Sequence, residues 1–166
     1  VKGESFMRYY VKENLIAYGD KYIIKDEMGN KRYQVSEKLL NIGNKIKFLD
    51  NNGKEVIQIN QARRSALPEY KILMNSKEIG QVKKNFASIT NNLSIKSIYG
   101  VYRLEGELIN HNFTILDDLG NKVVSVSSNT LTPEDNYFVD IDDNINQAFM
   151  LAVIIIIDAI THNENK

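Results

Sequence analysis

Along most of this chain apolar and polar residues alternate, and the alternation itself recurs. Tyr22 and Ile24 precede Asp26-Glu27-Met28-Gly29, and Tyr33 and Val35 follow it; Ile46, Phe48, Asp50-Asn51-Asn52-Gly53, Ile57 and Ile59 repeat the arrangement 24 residues later. A third copy runs from Phe113 and Ile115 through Asp117-Asp118-Leu119-Gly120 to Val124 and Val126. A degenerate fourth, Glu69-Tyr70-Lys71-Ile72 to Val82, has a shorter turn around Asn75-Ser76. Each copy predicts a β-hairpin: Asp starts the turn by bonding the backbone just beyond it, and Gly takes the positive φ that sends the chain back. The period of two turns the named apolar residues inward and leaves Lys21, Lys25, Lys45 and Lys47 toward water. With further segments at Tyr9 to Lys12, Leu93 to Ile95, Val101 to Glu105 and Tyr137 to Ile141, the chain predicts about twelve short strands.

The pattern changes once, in the run from Ala148 to Ile160, which is apolar at every position except Asp158. Asp142, Asp143 and Asn144 supply a cap and negative charge for a helix start, and Gln147 stands three residues after Asn144 as a capping box requires. The prediction is a helix from about Ile145 to Thr161, with Ala148, Ala152 and Ala159 forming one thin side. A helix with no polar stripe must be enclosed. The apolar run spans only about 20 Å at 1.5 Å per residue, short of the roughly 30 Å of a bilayer core, so a transmembrane span is not expected. A long meander of strands leaves sticky edges unless it closes, and a closed barrel needs its lumen filled. The expected fold is therefore mainly β: a closed antiparallel barrel of about twelve strands around a buried hydrophobic C-terminal helix.

Composition narrows the setting. At 166 residues the chain suits one domain, expected over 7–163, with residues 1–6 read as a remnant of expression because Met7-Arg8-Tyr9 looks like a natural start. Cysteine is absent, which excludes disulfides and thiolate metal sites. Lys plus Arg and Asp plus Glu number 21 each, so no global charge draws the molecule to nucleic acid, and none is expected as a partner. No apolar leader is visible, and a cytoplasmic location is expected.

These residues resemble the LURP-one-related family, in its bacterial type, whose fold is like that of tubby C-terminal domains and phospholipid scramblases. The resemblance covers Met7 to Asn163. It is carried by Met7-Arg8-Tyr9, Tyr18-Gly19-Asp20-Lys21, the Asp-x-x-Gly hairpins, Leu67-Pro68-Glu69-Tyr70, Val82-Lys83-Lys84, Tyr137-Phe138-Val139-Asp140-Ile141, and Ile156-Ile157-Asp158-Ala159-Ile160-Thr161-His162. It implies a barrel threaded by a C-terminal helix. It implies no established activity, because fold alone confers none. By analogy with tubby domains, an anionic lipid headgroup or membrane surface is a natural partner; another protein chain is the alternative.

Four cations are the candidate ligand site. Arg63 and Arg64 lie before Pro68, and counting outward from the Asn75-Ser76 turn sets Lys83 about opposite Pro68, so Lys83 and Lys84 share a barrel rim with the two arginines. Such a cluster suits an anionic headgroup or phosphate, against the plainer reading of a solvated rim. Asp158 and His162, one helical turn apart, are expected to pair structurally, since a carboxylate in an apolar helix is costly alone. An acid–base dyad is the enzymatic alternative, but no nucleophile motif accompanies it. Asp140, Asp142, Asn144 and Asn146 imitate a calcium loop, yet its sixth position is Ile145 and its twelfth is Leu151. His111 has no cysteine partners for zinc, and phosphate-binding glycine loops are absent. The expectation is a non-catalytic protein with neither metal nor cofactor.

Overall fold

The computed structural model describes residues 5–13, 20–40, 43–62, 66–85, 93–128 and 137–164. In chain order they form β1 (Phe6–Glu13), β2 (Asp20–Asp26), β3 (Lys31–Leu40), β4 (Gly43–Leu49), β5 (Glu55–Gln61), β6 (Glu69–Met74), β7 (Lys77–Lys84), β8 (Leu93–Ser97), β9 (Gly100–Glu107), β10 (Asn112–Leu116), β11 (Lys122–Ser128), β12 (Tyr137–Asp142) and α1 (Gln147–Glu164). Each strand pairs antiparallel with its neighbours in sequence, and β1 closes the ring against β12 from Phe6 opposite Asp142 to Val11 opposite Tyr137. Among the described strands none is left as an edge, which is how a meander of this length avoids edge-to-edge association.

The three Asp-x-x-Gly hairpins are built alike. In the first, Asp26 Oδ1 accepts the N–H groups of Met28 and Asn30 at 3.0 and 2.9 Å, and Gly29 sits at φ 82°. Asp50 with Gly53 and Asp117 with Gly120 repeat those bonds and that conformation. Each also carries a bulge at the same place, after Ile24, Phe48 and Ile115. The repeat read along the chain is thus a repeat of turn, bulge and twist. The degenerate copy turns through Asn75 and Ser76 at φ 52° and 63°, the left-handed pair of a two-residue hairpin. A bulge there shifts the register at Ile72/Leu73, so Lys83 faces Glu69 rather than Pro68, while the Lys84 N–H donates to the Pro68 carbonyl. The one-residue error in the expected register comes from that bulge.

Inside the ring, Ile24, Val35, Phe48, Ile59, Ile72, Ile95, Ile115 and Val139 are fully buried against α1, whose residues Phe149 to Thr161 are all buried. Of the predicted inward residues only Tyr33 is half-buried. The helix begins at Gln147 rather than Ile145 because Asn146, not Asn144, caps it: Asn146 Oδ1 accepts the Phe149 N–H at 3.0 Å. Asn144 belongs to a turn on Asp142, and Gln147 reaches back to the carbonyls of Asp142 and Ile145 instead of completing a capping box. At the other terminus the helix runs on to Glu164.

The barrel has two unlike ends. The short hairpin turns and the start of α1 share one end; the β5–β6, β7–β8 and β9–β10 connections and the close of α1 share the other.

Candidate functional site

At the second of those ends the apolar interior is interrupted by one polar cluster. Asp158 is buried, and its Oδ2 accepts the Tyr22 hydroxyl at 2.5 Å while Oδ1 lies 2.8 Å from His111 Nε2. Period two turns Tyr22 inward from β2; His111 arrives differently. It closes the four-residue β9–β10 loop, its N–H bonded to the Leu108 carbonyl and its φ at 50°, a left-handed conformation uncommon outside glycine. That conformation accompanies an imidazole stacked on Tyr137, ring centres 4.3 Å apart and planes 11° off parallel. Among the described residues no partner reaches the Tyr137 hydroxyl. Burial first, and the Asp158 charge second, raise both the Tyr22 and Tyr137 hydroxyls well above the usual phenol value. Both phenols therefore remain neutral, and Tyr22 is a donor to the carboxylate.

Chemically the cluster is a tether. It satisfies a carboxylate that would be expensive to bury alone, and it fixes the last turns of α1 to β2 and to the β9–β10 loop. The His162 side chain, the expected partner, lies outside the described residues. Sequence reasoning singled out Asp158 but did not connect it to Tyr22 or His111. Tyr22 carried an inward signal; His111 carried none beyond its place at the end of a turn.

The rim cations divide. Arg63 and Arg64 lie outside the described residues. Lys83 is exposed and Lys84 half-buried at the close of β7, at the same end as Asp158. The calcium-like acids are otherwise engaged: Arg8 grips Asp140 with two bonds of 2.7 and 2.9 Å, Asp142 holds Asn144, and Asn146 caps α1. Among the described residues no group of three His, Cys, Asp or Glu side chains can hold a metal ion. Nor, among them, is any helix long and apolar enough to cross a membrane.

Charge is distributed unevenly along this neutral chain. Residues 43–97, spanning β4 to β8, hold ten Lys and Arg against four Asp and Glu, a surplus of six positive charges. Residues 98–166, spanning β9 to β12 and α1, hold three against eleven, a surplus of eight negative charges.

The comparisons with known proteins agree with the fold. A family model described as LURP-one-related matches residues 7–158. A crystal structure of a protein from Arabidopsis thaliana is similar to this one with a TM-score of 0.69, covering 95% of this chain and 93% of that chain at 14% identity. At that identity the likeness speaks for the fold alone. Among curated proteins none matches the sequence.

Proposed function

From the premise that this chain belongs to the LURP-one-related family, we propose that it is a cytoplasmic, non-catalytic binding module for an anionic ligand, a phospholipid or phosphoinositide headgroup being the best fit. Its contacts are Lys83 and Lys84 at the close of β7, together with Arg63 and Arg64. The observation that carries this reading is the surplus of six positive charges over residues 43–97 in a chain of zero net charge. Local surplus of that size attracts anions where the average charge does not. Lys83, exposed at the strand end, is free of the barrel interior and able to meet a headgroup.

The test is cosedimentation with vesicles of phosphatidylcholine alone and with added phosphatidylserine or phosphatidylinositol bisphosphate. Binding to the anionic vesicles is expected, falling with salt, and reversing the charge of the four residues should abolish it while barely moving the thermal midpoint. Wild-type protein that ignores anionic vesicles at low salt would overturn the lipid reading. A second reading, a protein-interaction scaffold, is favoured by one observation: of the seven large hydrophobic side chains exposed among the described residues, all but Met7 and Met28, namely Ile98, Tyr99, Val101, Ile109 and Leu119, fall between residues 98 and 119.

A further inference from the structure

The turn end of the barrel is apolar where turns are usually polar. Of the seven large hydrophobic side chains exposed among the described residues, six stand there: Met7 near the start of β1, Met28, Ile98, Tyr99 and Leu119 on hairpin tips, and Val101 just after Tyr99. The seventh, Ile109, is in the β9–β10 connection at the other end. Met28 and Leu119 hold the same place, third in an Asp-x-x-Gly turn, and are 87% and 82% exposed. Each projects from a rigid support. Beneath Leu119 the Asp117 carboxylate accepts the N–H groups of Leu119 and Asn121 at 3.0 and 2.8 Å, and the Gly120 N–H closes the turn on the Asp117 carbonyl. A turn already fixed loses little freedom when a partner buries it.

The same end also holds a hollow. A cavity of about 410 Å³ lies among the β4–β5 and β6–β7 turns and the start of α1, with Tyr33, Val56, Met74 and Ala148 as its apolar lining. All four pack on the core yet stay partly open, and Tyr33 is the one predicted inward residue left half-buried. In the ring of twelve strands β4 and β5 stand six places from β10 and β11, so the hollow and the Leu119 tip face each other across the barrel mouth. Their charges are complementary. Lys54 at the hollow and Asp118 beside Leu119 are both exposed, and neither is in an ion pair among the described residues. Glu55, the acid that also lines the hollow, is held by Lys47 at 3.2 Å.

We infer that this chain pairs with a second copy of itself, turn end to turn end, the Leu119 tip of each seated in the hollow of the other and Asp118 of each against Lys54 of the other. One end that carries both a projection and a hollow is self-complementary, and a two-fold axis between the two ends makes both exchanges at once. The contact closes at two. Apolar tips meet apolar lining, and the two ion pairs fix the rotation of one barrel on the other. A bilayer is a poorer occupant, because the exposed Glu27 and Asp118 stand beside Met28 and Leu119 and would be drawn into the lipid with them. The inference rests on the apolar surface behind the scaffold reading and names what covers it. It is separate from the lipid reading, since Lys83 and Lys84 close β7 at the opposite end.

The test is sedimentation of the full chain over a range of concentrations. The mass-average should climb from 19.0 kDa toward twice that value and level there, as a closed pair requires. Leu119→Asn gives this turn the residue type that Asn52 supplies in the β4–β5 turn, and should stay a folded monomer with the thermal midpoint of dilute wild type. Asp118→Lys and Lys54→Glu each set like charge against like at two places, and each should weaken the pair about tenfold. Carried together in one chain, the two reversals restore both ion pairs and should return the dissociation constant to near the wild-type value. A wild type that is monomeric at every concentration overturns the inference and leaves the surface to a different chain, so failure here is distinct from failure of the scaffold reading. Assembly that grows past two copies overturns it too, as does a Leu119→Asn form that still pairs or a double reversal no tighter than the single ones.

Discussion

The two ends of α1 are held in different ways. Where the helix enters the barrel its bonds are mostly local: Asn146 caps Phe149, Gln147 reaches Asp142 and Ile145, and among the described residues only the Tyr9 hydroxyl, donating to Gln147 Oε1 at 3.1 Å, comes from far away in sequence. Where it leaves, Asp158 is bonded to Tyr22 and His111, 136 and 47 residues distant. The entry is a helix start that a short peptide already encodes. The exit exists only once the ring has closed, because its partners Tyr22 and His111 come from β2 and the β9–β10 loop, far from the helix in sequence. Between them lies a stretch from Phe149 to Ile157 that, among the described residues, makes no side-chain hydrogen bond to the wall and is held by burial, with Phe149 packed against the Tyr99 ring.

The largest effect should come from removing what both ends hold. Truncation after Asn146 deletes side chains such as Leu151, Ile154 and Ile157, fully or almost fully buried. At roughly 1.5–3 kcal/mol apiece, their joint loss with their neighbours exceeds the typical 5–15 kcal/mol stability of a domain. The truncated chain should show no cooperative transition by circular dichroism on heating. A sharp transition near that of the full chain would make the helix an appendage.

Alkali should act next, and through both ends. The Tyr9 hydroxyl at the entry and Tyr70 in the wall are pushed up to about 12, chiefly by burial, and Tyr22 and Tyr137 at the exit are raised as well. For each, the folded state holds the phenol proton more tightly than the unfolded chain does. Their contribution is therefore fully present below about pH 10 and is lost as pH rises from there through the folded values. The thermal midpoint should be insensitive to these groups at pH 9 and fall steeply above pH 10. The tyrosinate absorbance contributed by these buried phenols should appear together with unfolding.

A smaller effect belongs to the exit alone. Asp158→Ala leaves the buried Tyr22 hydroxyl without its acceptor and takes the carboxylate from the half-buried His111 ring, a cost of about 2–4 kcal/mol. Tyr22→Phe removes one donor and should cost about 1–2 kcal/mol. Combined, they should be less damaging than their sum, because the interaction is already gone after the first. Parallel cycles of Asp158 with His111 and with His162 would show which histidine is coupled to the carboxylate; additivity with His111 would remove the tether.

The exit shows where sequence reading stopped. The hairpins, the closure and the enclosed helix were legible because each follows from a period or a turn repeated within about thirty residues. Asp158 was legible as a problem, a carboxylate in an apolar helix, but not as a solution. Its described partners come from strands and loops brought near only by ring closure. The charge division was hidden for a simpler reason: a neutral total conceals a basic stretch, residues 43–97, followed by an acidic one, residues 98–166. The Lys83 register failed by one residue because a bulge beyond the Asn75-Ser76 turn leaves no mark in the polar–apolar pattern.

The smallest effect should come from the entry. Asn146→Ala removes the acceptor of the Phe149 N–H, and losses of this kind cost about 1 kcal/mol. Its effect should be local, since Gln147 still bonds the Asp142 and Ile145 carbonyls and the buried run beyond is unchanged. Asn146→Asp keeps an acceptor and adds a negative charge at the positive end of the helix, so it should equal or slightly exceed wild type. The two variants measured by urea denaturation separate the cap from the side chain's other contacts. If Asn146→Ala cost as much as Asp158→Ala, the entry would be as dependent on the closed barrel as the exit, and the contrast between a locally encoded start and a globally assembled finish would fail.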